Sequence, residues 1–334
     1  MPIVGSFGVT GWHDEAKASG PGVAIGRSGA SIGVATYVAQ DYWPLNTALF
    51  VNDFRGNDER WVYWLLDLID FSGYNSGSAQ PSLNRNYLAQ ISVLLPPVDE
   101  QRRIADVLQA FEELIDADER LAIKSAELAC ALARKATGTV PLGELAQTPR
   151  LRVIMPEGAT AHYSLPAFDE RELPEIVAGD SIKSGKQLLV DPVVLVSRLN
   201  PHIPRVWMAY PSSGLACVAS TEFVPIVPID SVDGVRVEEL YAVASAPEFA
   251  EQMRSQVTGT TGSHQRVDKS VISRLLVPDV RSLAGPVREA MVLLVRAAQA
   301  SRDAAAELRR NREELLPALM SGQVHVVDIE ELLR

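Results

Sequence analysis

The chain has only two cysteines in 334 residues, Cys130 and Cys217, far apart and each in an apolar stretch. That excludes a disulfide framework and a cysteine-based zinc site, and it fits the reducing cytoplasm, where we expect the protein. No run of residues approaches the roughly 20 apolar positions that a membrane span needs. The opening MPIVGSFGVTGWHDEAK has neither the basic start nor the apolar stretch of a signal peptide. Catalytic signatures are missing as well. GRSGASIG lacks the lysine of a phosphate loop, SGKQ has Gln where Ser or Thr is required, and no GxGxxG follows a strand. There is no Asn/Asp-Pro-Pro-Tyr of an amino-methyltransferase, and His13, His162, His202, His264 and His325 show no HExxH-type spacing. Positive charge is scarce: 31 Lys and Arg stand against 42 Asp and Glu, a net charge of −11. Nucleic acid is therefore not expected over the whole surface, yet a local basic face is still allowed, because counterion release depends on which charges meet phosphate.

What is present is ordinary for a folded protein of about two domains, with 47% hydrophobic and 22% charged residues. Two textures alternate. Residues 1–97 are rich in Gly, Pro, aromatic and β-branched residues. Residues 98–137 are dense in Ala, Leu, Glu and Arg; Pro96-Pro97 must precede a helix, and Asp99 and Glu100 suit its N-terminal end. The expected apolar seam is Ile104, Val107, Phe111, Leu114, Leu121, Leu128 and Leu132. Residues 138–280 return to the first texture, with strand-like runs at 193–199 and 222–228. Residues 281–334 hold a second long helix from about Gly285. Its seam is Val287, Met291, Leu294, Ala298, Ser301, Ala305, Leu308, Leu315 and Leu319, and Pro317 should kink or end it near Leu316. Helices this long need a partner for the apolar stripe, and the simplest is each other, as an antiparallel coiled coil. Trp12, Trp43, Trp61, Trp64 and Trp207 are expected in the core.

The chain thus repeats a globular segment and a long helix. GYNSGSAQPSLNRNYLAQISVLLPP (73–97) and GTTGSHQRVDKSVISRLLVPD (259–279) share a Gly, small polar residues, a Gln and an Asn or Asp beside a base. VAIGRSGASIG (23–33) and VLVSRLNPHIP (194–204) each place an Arg after an apolar strand. YWPLNTALFV (42–51) and LACVASTEFVPI (215–226) each put a Thr beside Asn or Ser before another strand.

These residues resemble the DNA-specificity subunit of type I restriction–modification systems. The most specific marker is LLPPVDEQRRIADVLQAFEELI (94–115), followed by RRNREELLPALMSGQV (309–324) and the recognition-domain patterns at IGRSG, WPLNTALFV and SRLNPHIPR. The resemblance implies a mixed α+β fold: two α/β target-recognition domains separated by two long helices in an antiparallel coiled coil that acts as a ruler between half-sites. It implies a non-catalytic, sequence-specific subunit that recognises a bipartite site in double-stranded DNA. It also implies docking to two methyltransferase subunits and, through the complex, to restriction subunits, with no cofactor of its own. S-adenosylmethionine and ATP would belong to those partners. One departure stands out. Pro141 and Arg198 are 57 positions apart, whereas only 26 residues precede Arg27, so the first recognition domain is expected to lack its opening strands. A remnant or half-subunit completed by another chain is therefore an alternative. An enzyme with an unrecognised methyltransferase motif and a coiled-coil scaffold without DNA function are the rivals from other classes.

Arg forks suit guanine, Asn and Gln suit adenine, and Ser, Thr and Lys mostly hold phosphate. In the first domain this singles out Arg27 and Ser28, then Asn46 and Thr47, then Asn75, Ser76 and Gln80. In the second it singles out Lys183, Ser184 and Lys186; Arg198, Asn200, His202 and Arg205; Ser220 and Thr221; and Thr260, Thr261, His264, Gln265 and Arg266. Glu112, Glu113, Asp116 and Glu119 on one helix, with Arg302, Arg309, Arg310 and Arg312 on the other, are read as solvated or paired across the coil.

Overall fold

The computed structural model describes residues 1–334 except 75–81, 213, 230–233, 257–264 and 327–334. It resolves into two compact units, residues 1–115 with 307–334, and residues 116–306. Unit 1 contains β1 (Pro2–Gly5), β2 (Gly8–Trp12), β3 (Gly22–Gly26), β4 (Ala35–Val38), β5 (Trp43–Pro44), β6 (Ala48–Phe50), α1 (Glu59–Leu68) and α2 (Arg85–Leu88). The first long helix, α3, runs Val98–Ala133. Unit 2 contains β7 (Thr139–Pro141), β8 (Ala146–Gln147), β9 (Val153–Ile154), β10 (Ala159–Tyr163), α4 (Leu165–Arg171), β11 (Glu175–Ala178), β12 (Lys186–Leu189) and β13 (Val193–Ser197). It continues with β14 (Val206–Ala209), β15 (Ala216–Ala219), β16 (Phe223–Pro228), α5 (Val237–Ala244), α6 (Pro247–Ser255), α7 (Lys269–Ile272) and β17 (Leu276–Pro278). The second long helix, α8, runs Gly285–Met320.

The strand orders repeat. Unit 1 pairs β1 parallel to β5 and antiparallel to β2, beside a sheet of order β4-β3-β6. Unit 2 pairs β10 parallel to β15 and antiparallel to β11, beside β14-β13-β16. Each central strand, GVAIG in β3 and VVLVS in β13, is buried along its whole length between two antiparallel neighbours. That is what an unbroken apolar, β-branched run permits. A helix follows in each unit, α1 capped by Asp58 and α5 after β16. Unit 2 adds β8 against β16, β12 and β9 beyond β15, and α4 between β10 and β11. Among the described residues unit 1 has no counterpart of these, so β5 and β6 end their sheets. Trp61, Trp64 and Trp207 are core residues, but Trp12 is 72% exposed. The expectation of a buried Trp12 fails because β2 is an outer strand. Its equivalent β11 likewise leaves Ile176 exposed.

The two long helices each have 36 residues, about 54 Å at 1.5 Å per residue. In unit 1, Ile104, Ala105 and Leu108 of α3 pack with Leu316, Leu319 and Met320 of α8 around Trp61 and Trp64. In unit 2, Ala129 and Ala133 of α3 pack with Met291 and Val295 of α8. The start of one helix therefore meets the end of the other, the antiparallel sense expected. The α3 seam differs from the expected one. Gln101, Leu108, Ile115, Ala122 and Ala129 are buried every seven residues, while Leu114, Leu121 and Leu128, one position earlier, are half-exposed. Size misled the sequence reading: the period falls on alanines, whose small side chains let helices approach closely. On α8, Met291, Ala298, Ala305 and Leu319 follow the same period, as expected. Arg312 occupies the remaining position of that period, paired with Glu112 and lying over Trp64.

Two other boundaries differ. The helix expected over 98–137 stops at Ala133, followed by turns and Gly138 at φ 91°. Pro317 does not end α8; one more turn continues to Met320 because Leu316, Leu319 and Met320 are buried there, and Gly322 at φ 71° ends it. The Gln of the PPVDEQ motif has a structural task. Fully buried Gln101 accepts from Asp58 N–H at 3.0 Å and donates to Asn57 Oδ1 at 2.8 Å and Pro96 C=O at 2.9 Å, tying α3 to the start of α1. In unit 2, buried Glu238 and Glu239 on α5 anchor α8 through Arg296 at 2.7 Å and a two-point bond from Arg288 at 2.6 and 2.9 Å.

The seam makes a simple prediction. Leu108→Ala should cost about 2–5 kcal/mol, whereas Leu114→Ala, at a position 55% exposed, should stay within about 0.5 kcal/mol. Thermal unfolding of both variants checks it; equal shifts would restore the earlier seam.

Candidate nucleic-acid interface

Each unit gathers its candidate residues at one end of its central strand, in the same backbone frame. In unit 1, Arg27 follows β3; its N–H donates to Thr47 C=O at 2.9 Å, and its own C=O accepts from Leu83 N–H at 2.8 Å. Ser28 bridges Ser82, and Gly29 takes φ 72°. In unit 2, Arg198 follows β13; its N–H donates to Glu222 C=O at 3.1 Å, and its C=O accepts from Val267 N–H at 3.0 Å. Leu199 bridges Arg266, and Asn200 takes φ 49°. The two frames match bond for bond. The left-handed residue two positions after each arginine turns the chain back, a conformation open to Gly and tolerated by Asn.

In unit 1 Arg27 and Asn46 are exposed, and Ser28 and Thr47 half-buried, on adjoining segments. Asn75, Ser76 and Gln80 lie outside the described residues. In unit 2 the strand registers bring more segments to the same end. Ser197 faces Phe223, and Gln187 faces Ala219. Gln187 Nε2 donates to Ser220 C=O at 3.0 Å and Phe223 C=O at 2.9 Å, fixing the turn that carries Ser220, Thr221 and Glu222. Lys186 begins β12 there, its Nζ 2.6 Å from Ser184 Oγ, and exposed Lys183 donates to Asp180 C=O at 2.8 Å. Burial holds the Lys186 ammonium below its ordinary range, and burial followed by Lys186 does the same to His162 on β10 of the same sheet.

Asn200 is held by its N–H on Gln265 C=O at 2.8 Å, and His202 and Arg266 are exposed. Thr260, Thr261 and His264 lie outside the described residues. Asp268, beside this cluster, is held below the usual carboxylate range by the Ser270 hydroxyl first and the Ser270 N–H next, with a smaller contribution from Arg198. Arg205 is the exception. It is 6% exposed, and its fork closes on Asp169 at 2.5 and 2.7 Å, pinning the SRLNPHIPR loop to α4. Its placement corrects the expectation of a base contact: four polar side chains in eight residues included one whose partner is internal.

Sequence reasoning missed Glu222. It paired Asn46-Thr47 with Ser220-Thr221, but the hydrogen bonds set Thr47 opposite Glu222, one position later. Aligning on the first residue of the following strand, Ala48 and Phe223, rather than on the hydroxyl residues would have found it.

The Arg205 assignment is testable by stability. Asp169→Asn should destabilise unit 2 by about 1–3 kcal/mol, less than a fully buried pair because Asp169 is 45% exposed. An unchanged melting temperature would release Arg205 for another role.

Residues 16–124 match the family model for the type I restriction modification DNA specificity domain. Over 113 residues, 34% of this chain, the sequence is 28% identical to the type I restriction enzyme EcoprrI specificity subunit of Escherichia coli, and that stretch spans 28% of the relative's length. The crystal structure of a type I restriction–modification S subunit from M. genitalium shares the fold. Its TM-score is 0.61 at 14% identity, covering 96% of this chain and 88% of that one. Residues 16–124, with the PPVDEQ helix start, are thus similar to a type I restriction modification DNA specificity domain, and the chain shares the fold of a type I S subunit.

Proposed function

We propose that this chain is the sequence-reading subunit of a type I restriction–modification complex, non-catalytic in itself. It reads one part of a bipartite site in double-stranded DNA with each unit and guides two methyltransferase subunits, with restriction subunits joining through the complex. The observation that carries this reading is the arginine frame built twice, around Arg27 and around Arg198, each at a strand end beside polar segments. Arg198, Asn200, His202, Gln265 and Arg266 are the base-reading candidates in unit 2, and Arg27, Ser28, Asn46 and Thr47 in unit 1; Asn75, Ser76, Gln80, Thr260, Thr261 and His264 belong to the same proposal by sequence alone. Lys183, Ser184, Lys186, Ser220 and Thr221 suit phosphate. No helix among the described residues is long and apolar enough to cross a membrane. The proposed setting is the cytoplasm, where DNA and partner subunits are available.

A second reading, in which another chain completes unit 1, is favoured because the described residues of unit 1 hold no counterparts of β8, β9 and β12. Light scattering on the purified chain separates the two: a monomer supports the first, a stable dimer the second.

Co-expression with the methyltransferase subunit, followed by genome-wide mapping of methylated adenines, tests the main proposal. A two-part motif is expected; absence of methylation, or a single continuous motif, would contradict it. Within that complex, Lys183→Ala should weaken all duplexes alike and lower the slope of log affinity against log salt by about one, because a phosphate contact carries no base information. A loss confined to one sequence would move Lys183 to the base-reading set.

A further inference from the structure

Glu222 sits between two arginines. Its Oε1 accepts from Arg266 at 2.8 Å, and its Oε2 lies 3.3 Å from Arg198 Nε. The carboxylate is largely buried, and the backbones of all three residues are tied together by the hydrogen bonds and bridge described above. Among the described residues, Oε2, Arg198 Nε and the neighbouring Asn200 Oδ1 are buried without a hydrogen-bond partner. Charge rather than hydrogen-bond geometry therefore holds Arg198, and among the described residues polar capacity at this spot remains unused. The equivalent positions in unit 1 are Thr47 and Ser82, so the same frame there carries one arginine and neither the carboxylate nor the second arginine.

We propose that Glu222 is a positioning residue that fixes Arg198 and Arg266 as one reading unit and so sets the base discrimination of unit 2. The proposal rests on the reading of this strand end as a DNA-facing surface. Two guanidiniums this close repel one another; the carboxylate between them orients both forks and lowers the charge that attracts any phosphate. Without it, the arginines separate and bind backbone indiscriminately.

The test uses the chain in complex with its methyltransferase, and duplexes carrying the mapped motif or a single base change in one part of it. Glu222→Gln should reduce discrimination roughly tenfold at the base position that Arg198→Ala affects, while steepening the salt slope by about one. Glu222→Asp, which keeps the charge, should retain the wild-type slope. Arg266→Gln approaches the triad without altering the buried carboxylate, so it stays informative if Glu222→Gln fails to fold. It should cost discrimination at that same position, and a uniform loss on all sequences would overturn the proposal. If Arg198→Ala loses binding but Glu222→Gln changes neither discrimination nor slope, Glu222 has no positioning role. If Arg198→Ala and Arg266→Ala both bind with wild-type affinity and slope, the DNA-facing reading of this strand end is itself wrong.

Discussion

Each long helix carries an apolar stripe one or two residues wide per turn, too narrow for a core and too long to leave in water. The other helix covers it. That constraint explains why the buried positions recur every seven residues and why so many are alanine. It also explains why polar residues at the seam come with partners: Gln101 bonded on three sides, and Arg312 with Glu112 and Trp64. The globular segments are attached to this scaffold by specific polar anchors, Gln101 near α1 in one unit and the Glu238 and Glu239 pairs on α5 in the other. Ion pairs on buried carboxylates such as these add little net stability over an apolar core, but losing the arginine is costly, which suits them to fixing one orientation.

On that scaffold the chain presents the same backbone frame twice with different side chains. The hydrogen bonds around Arg27 and Arg198 correspond one for one, so the strand end is a mount whose geometry is set by main chain. Chemistry is set by what is placed on it: Thr47 and Ser82 in one unit, Glu222 and Arg266 in the other. A frame independent of side chains allows the contacts to diverge without disturbing the sheets, the usual relation between a rigid scaffold and the loops that carry function.

Much of this was legible in the sequence. The two helices, their antiparallel pairing and the repeated globular texture follow from composition, period and spacing. Where the reading failed, long-range contacts decided. Leu114, Leu121 and Leu128 were preferred for their size, although the seam lay one residue later on Ile115, Ala122 and Ala129. Pro317 is tolerated because the last helical turn is buried. Arg205 has the composition of a DNA contact, but its partner Asp169 lies 36 residues away, and no local pattern announces the pair. Glu222 was hidden by the one-residue difference between residue type and hydrogen-bond register.

The central claim is that each unit reads its own part of a divided site. The direct measurement is the methylation map produced with the methyltransferase subunit by a chain carrying Arg198→Ala, Asn200→Ala and His202→Ala together, set beside the map of the unaltered chain. The account predicts that one part of the motif loses its base preference while the other part is unchanged. Relaxation of both parts together, or of neither, would contradict it.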